Sequence, residues 1–337
     1  MQRHTPHESG AARHPRPRSF RPDGISVDTQ SDPVRSPTAL QCCTAATGFV
    51  WGLVRPKRPD QRFMRSIVDA GLPDAGGTVT VTALAQVPRS VPTAAIVEGV
   101  FAPARVENSL TSFIVTHPDG TFIVDPAVCL NAEHRAIAQL PAALRVAVRP
   151  PPDTIPTITA LRQLPEMPQL DFALPTHAHW DHVSGLLDLP DLPVHLHRIE
   201  HDWIASGPVA PVGGVRDSLR DRPVVHYDLA GPPILTFTRS HDVFGDNTVI
   251  LVDLAGHTPG SIGVLAHTRP GWILIAGDAA WHELQIEKIR QKSSYPGALV
   301  DEDRDESFRT LHRLHAARHA VTIIPTHDHQ AALRLSA

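Results

Sequence analysis

The six residues His177-Ala178-His179-Trp180-Asp181-His182 constrain this chain more than any other stretch. They place three imidazoles and a carboxylate just after the apolar run Phe172-Ala173-Leu174-Pro175. A short buried strand that closes in such a cluster delivers its side chains to a sheet edge, where ligands bind. His177 and His179 are two apart, so in extended backbone both point to one side and can grip one metal ion. Asp181 and His182 follow as the chain turns into a short helix from Val183 to Leu187, and they can reach a second ion. A single histidine here would read as a surface residue, but the whole H-x-H-x-D-H order reads as a metal site.

Three later apolar runs end the same way. Gly256-His257-Thr258-Pro259-Gly260 follows Thr248 to Leu254, Gly277-Asp278 follows Ile273 to Ala276, and Pro325-Thr326-His327-Asp328 follows Val321 to Ile324. Four strand ends, each closing in a ligand-type residue, can meet at one sheet edge. Period-two alternation predicts a strand over Thr78 to Thr82, and further strands are expected over Ala95 to Phe101, Leu110 to Val115 and Thr121 to Asp125. Strands are also expected over Val194 to Leu196, Ile234 to Thr238, Ser261 to Ala266 and from Trp272. Helical patterning covers Ala132 to Gln139, Ile158 to Leu164, Arg198 to Ala205 and Asp305 to Ala317, and Pro208 to Gly214 reads as a loop. Strands and helices thus fall into two similar halves, which favours two sheets face to face with helices outside.

Residues 1–62 read differently. Arg, Pro, His and Ser dominate and apolar periodicity is absent, so disorder is expected there, with one ordered unit over 63–337. Ala39 to Val54 is mildly apolar but too short to span a bilayer, and no membrane partner is expected. A net charge of −4 gives no reason to expect nucleic acid. Cys42, Cys43 and Cys129 form no C-x-x-C, which suits a reducing cytoplasm and neither a disulfide framework nor a thiolate metal site. The 21 histidines are many, and histidine is the commonest metal ligand.

In order and spacing these motifs resemble the metallo-β-lactamase-fold hydrolase superfamily over nearly all of residues 78–330. The resemblance implies an α+β fold, an αββα sandwich of two mixed sheets with outer helices. Carried over residue by residue, it makes His177, His179 and His257 the ligands of a first metal. Asp181, His182 and His327 would hold a second, and Asp278 would bridge both. The donors suit two zinc ions, and manganese, iron and cobalt fit the same types. A hydroxide shared by the two metals would attack an ester, lactone or thioester of a small molecule, with Asp181 orienting it.

Among the branches, quorum-signal lactonases fit best in size and ligand pattern. True β-lactamases of this fold usually lack an aspartate bridge. Glyoxalase II carries a helical C-terminal domain, and only 10 residues follow His327 here. The lactonases have a tyrosine three residues after the bridging aspartate. Trp281 stands at that position, with His282 or Tyr295 as candidate substitutes. Asp125 is expected to support the ligands and Trp180 to pack near the metals. His195 and His197 read as ordinary sheet residues and Cys129 as a small buried one. Lys288, Arg290 and Lys292 read as a solvated helix face. Competing readings are a phosphoester or organophosphate hydrolase, a mononuclear iron enzyme that oxidises persulfides, and a metal-bearing scaffold without turnover.

Overall fold

A computed structural model describes residues 38–140, 142, 145, 148–206, 218, 219 and 222–335. Its strands are β1 (Thr80–Ala83), β2 (Arg89–Pro92), β3 (Arg105–Asn108), β4 (Phe113–His117), β5 (Gly120–Val124), β6 (Phe172–Leu174) and β7 (Val194–His197). They continue with β8 (Val224–Tyr227), β9 (Ser240–Asp242), β10 (Val249–Asp253), β11 (Ile262–Thr268), β12 (Gly271–Ile275) and β13 (Thr322–Ile324). The helices that matter below are α1 (Ala39–Val54), α2 (Gln61–Ser66), α3 (Thr157–Arg162), α4 (Trp180–Val183) and α5 (Arg198–Ser206). After them come α6 (Glu283–Lys288), α7 (Ser294–Val300), α8 (Arg304–Ala317) and α9 (His329–Leu333).

One sheet has six strands in the order β1-β4-β5-β6-β7-β8, the other five in the order β13-β12-β11-β10-β9. In the first, β1, β4 and β5 run antiparallel, and β5 through β8 pair in parallel. In the second only β12 and β13 are parallel. Alternation along each strand decides which face is buried against what. Val249 and Leu251 of β10 and Val264 and Ala266 of β11 pack between the sheets, against Phe113, Val115, Phe122 and Leu174. Their neighbours Ile250, Val252 and Leu265 face outward onto Phe308, Leu311 and Leu314 of α8. On the opposite flank Ile114, Ile123 and Ala173 meet Leu161 of α3 and Trp203 of α5. The layers are therefore helix, sheet, sheet, helix, as expected.

Some local expectations change. Residues 38–62 are not disordered: α1 starts at a capping box in which Thr38 and Gln41 satisfy each other's backbone N–H, and Asp60 caps α2. Gly48 and Gly52 of α1 abut Ser294 and Glu98, so a small-residue face, not an apolar stripe, docks this helix. Residues 1–37 and the Pro208 to Gly214 loop lie outside the described residues. The stretch Ala95 to Phe101 begins inside a helical turn, Thr93–Ile96, because Thr93 anchors that turn through its hydroxyl on Pro103 O. Ile234 to Thr238 forms a tight turn in which Ile234 pairs with Phe237. No helix among the described residues is long and apolar enough to cross a membrane.

Candidate metal centre

The ends of β6, β10, β12 and β13 converge on one edge of the sandwich. Thr176 N–H donates to Asp125 Oδ1 (2.6 Å), and the hydroxyls of Thr176 (2.9 Å) and Thr326 (3.3 Å) donate to Asp125 Oδ2. One fully buried carboxylate thus ties the ends of β5, β6 and β13. Gly277 lies at φ +51 with its α-carbon so near Thr176 that a Cβ would come within 2.6 Å of Oγ1. Only glycine combines that left-handed conformation with that approach.

The turn brings seven polar side chains together. His177 Nε2 lies 3.0 Å from His179 Nδ1, which lies 2.8 Å from His257 Nε2. Asp278 Oδ1 is 3.3 Å from His182 Nε2 and 3.0 Å from His327 Nε2, while Oδ2 is 3.3 Å from His257 Nε2. Asp181 Oδ2 is 3.6 Å from His327 Nε2. Three groups have donor atoms all within 4.8 Å of one another: His177 with His179 and His257, His177 with His182 and Asp278, and Asp181 with His182 and His327.

The far side of each ring decides which nitrogen is presented. His327 Nδ1 donates to Ser109 O (3.0 Å), and His257 Nδ1 lies 2.8 Å from Asp301 Oδ1. His177 Nδ1 meets Thr176 Oγ1 (3.2 Å), whose own proton goes to Asp125. His182 Nδ1 sits 2.9 Å from Asp125 Oδ2. For His177, His257 and His327 an acceptor behind the ring turns Nε2 toward the cluster, which is how ligating histidines are oriented, while His182 Nδ1 faces Asp125 without an aligned hydrogen bond.

The donor set fits divalent cations. His182 Nε2 and Asp278 Oδ1 are buried without an aligned hydrogen bond, and orphaned polar atoms of this kind are costly unless an ion or water meets them. Burial and the neighbouring imidazoles hold His177 well below the ordinary histidine pKa. Burial, His257 and the other close cations do the same to His179. Burial opposes protonation of His182 too, but Asp125 and Asp278 outweigh it and hold it well above the ordinary value. Burial would raise Asp278, yet His327 and His182 hold it well below the usual carboxylate range. Burial opposes protonation of His327 as well, but Asp278 and Asp181 hold it above the ordinary value, so the imidazoles kept as neutral donors are those of His177, His179 and His257.

The remaining sequence expectations divide. Trp281 Nε1 donates to Asp278 Oδ2 at 2.7 Å, so the residue in the tyrosine's place touches the central carboxylate. His282 is a helix cap: its Nδ1 accepts from Leu284 N–H at the start of α6. Tyr295 is half-buried at a kink in α7. Trp180 turns away from the seven residues and packs with Val128, Cys129 and Ile137, because its position opening α4 faces that satellite core. Cys129 is fully buried there. His195 is a sheet residue stacked on Phe172.

Two supports have no sequence signature. Glu200 of α5 is buried and accepts from Ala178 N–H (2.7 Å), Thr258 Oγ1 (2.8 Å) and Gly260 N–H (3.0 Å), clamping the His177–His179 loop to the His257 loop. Lys292, expected on a solvated face, is 2% exposed and pairs with buried Asp301 at 2.6 Å. The segment after α6 turns inward there instead of continuing as a helix, so the lysine is carried under His257. Both residues are isolated in sequence, and no motif could have singled them out.

A family model described as the metallo-beta-lactamase superfamily matches residues 105–327. The N-acyl homoserine lactonase AttM of Azorhizobium caulinodans is 24% identical over 244 residues, 68% of this chain and 85% of that protein. Among solved structures, an N-acyl homoserine lactone hydrolase with N-hexanoyl-L-homoserine at its catalytic metal centre superposes with a TM-score of 0.50 at 15% identity. The match covers 76% of this chain and 96% of that one. The hydrolase AbOPH gives 0.52 at 17% identity, over 78% and 91% of the two chains. These structural likenesses bear on the fold.

Proposed function

The chain belongs to the metallo-beta-lactamase superfamily, and from that membership and its clustered donors we propose a dinuclear metal-dependent hydrolase that opens a lactone or cleaves a related small ester. The position of Asp278 carries this reading. One of its oxygens faces His182 and His327 and the other faces His257, so a single carboxylate stands between two sets of donors. His177, His179 and His257 would hold one ion, Asp181, His182 and His327 the other, and Asp278 both. Two zinc or similar ions there would supply Lewis acidity and a hydroxide nucleophile near neutral pH.

The chain's own groups do the rest. Asp181 is the more accessible of the two central carboxylates, with a side chain 16% exposed against 5% for Asp278. It is the one placed to orient a water or to carry a proton to the departing alkoxide. Trp281 fixes the orientation of Asp278 through its indole N–H. An indole cannot surrender that proton as a phenol can, so Trp281 positions and Asp181 transfers. The AttM relative, a lactonase by name, supports a lactone as the substrate class. A small molecule is the partner in this reading, with no nucleic acid or membrane, in the cytoplasm.

Elemental analysis of protein purified without added metal, with a panel of lactones, esters, thioesters and phosphoesters, tests it. About two zinc-like ions per chain with lactone or ester turnover is the expected result. Asp278→Ala should lose metal and hydrolysis together. A single iron without hydrolysis would refute the proposal and favour oxidative chemistry.

A further inference from the structure

Behind His257 sits a buried arrangement that the hydrolytic reading does not use. Lys292 Nζ lies 2.6 Å from Asp301 Oδ1 and 2.8 Å from His257 Nδ1, and that same Oδ1 is 2.8 Å from His257 Nδ1. The ammonium and the imidazole share one carboxylate oxygen and also touch each other. Arg304 Nη1 adds a second cation 3.8 Å from Asp301 Oδ2. The ammonium also stands over the ring of Trp281, 5.0 Å from its centroid, and that indole donates to Asp278. Lys292 therefore addresses both His257 and Asp278 from behind.

A carboxylate behind a ligating histidine raises the ring's basicity and with it the affinity for metal. An ammonium bonded to the same carboxylate oxygen takes much of that effect back. Its own charge, in a site shielded from water, also repels a dication. Sequence alone places Lys292 in solvent, where neither effect would operate. Resting on the dinuclear reading above, we propose that Lys292 is a positioning residue that deliberately weakens the His177–His179–His257 metal position, leaving the two ions unequally held. Asp301 fixes the His257 ring; Lys292 sets how strongly the fixed ring binds.

The test is zinc release from the full-length, zinc-loaded protein to a chromophoric chelator, with the metal-free melting temperature measured alongside. Lys292→Met should slow release of one ion and tighten it about tenfold, while lowering the metal-free melting temperature because Asp301 loses its counter-charge. Lys292→Arg should return release to the wild-type rate. Asp301→Asn should weaken the same ion by about 10- to 100-fold, and adding Lys292→Met to it should restore part of that loss. A merely structural lysine would move stability and affinity in the same direction. Unchanged or faster release from Lys292→Met overturns the proposal. So does an Asp301→Asn that binds zinc as tightly as wild type, which keeps the test decisive if the lysine variant does not fold. Wild-type protein that holds no zinc would instead bring down the dinuclear reading, and this inference with it.

Discussion

Asp125→Asn is the substitution that separates architecture from metal binding most sharply. Asp125 sits at φ +50, a left-handed conformation that asparagine tolerates, so the backbone need not move. The amide oxygen can keep the bond from Thr176 N–H. The amide nitrogen then replaces the oxygen that now receives two threonine hydroxyls and faces His182 Nδ1. Hydroxyls can rotate to accept, so the loss there is that of bonds to a charged acceptor, and stability should fall by about 1–3 kcal/mol. His182 has no such freedom. To accept from the new N–H its proton must sit on Nε2, aimed at Asp278 Oδ1 3.3 Å away, where the lone pair is needed. Disrupting such a support costs metal affinity about 10- to 100-fold, or about 1.4–2.7 kcal/mol. If the protein holds two zinc ions as proposed, one should be lost preferentially in a chelator competition, and ¹⁵N spectra of the histidines should show His182 protonated on Nε2. An Asn variant that folds and keeps both ions at wild-type affinity would refute the claim that Asp125 sets the His182 tautomer.

Other outcomes follow from the same geometry. Burial pushes Glu200 up to about 7 from 4.5, so the folded state binds more protons than the unfolded one between those values. Stability of the metal-free protein should then fall as pH rises through that window, by about 3 kcal/mol at most, and Glu200→Gln should flatten the slope in denaturant titrations. Trp281→Phe removes a hydrogen bond to a carboxylate of about 1.5–3 kcal/mol, so kcat should drop about ten- to hundredfold in a lactone or ester assay. Gly260→Ala puts a Cβ 2.4 Å from Glu200 N, a backbone atom that cannot step aside, and should destabilise the fold by about 3 kcal/mol in chemical unfolding.

The centre was legible wherever chemistry and chain order coincide. His177 to His182 lie together in sequence, and His257, Asp278 and His327 each close an apolar run, so periodicity points to the edge where they meet. The supports were not legible. Lys292 and Glu200 look like any charged residue, because what distinguishes them is burial created by partners such as Asp301, Thr258 and Gly260. Trp180 was misplaced for a related reason: its neighbours are ligand types, but its own direction is set by the turn into α4. In the fold, α1 was hidden by composition, since its docking face is Gly48 and Gly52 and its start is a capping box, neither of which raises apolar periodicity. The stretch Ala95 to Phe101 has strand-like residues, and a side-chain anchor from Thr93 bends its start into a turn.

The convergence of strand ends has a consequence for how the chain acquires its metal. His177, His179, Asp181 and His182 belong to the six-stranded half, and His257, Asp278 and His327 to the five-stranded half. Each of the three donor groups draws on both halves, so none is complete until the two sheets have docked. Closing a loop as long as that from Asp181 to His327 is entropically costly. Ions bound there would act as rivets across the inter-sheet seam, opposing separation of the halves more than fraying within either. Loss of metal should therefore be felt first as easier parting of the sandwich, with each sheet still holding its own hydrogen bonds.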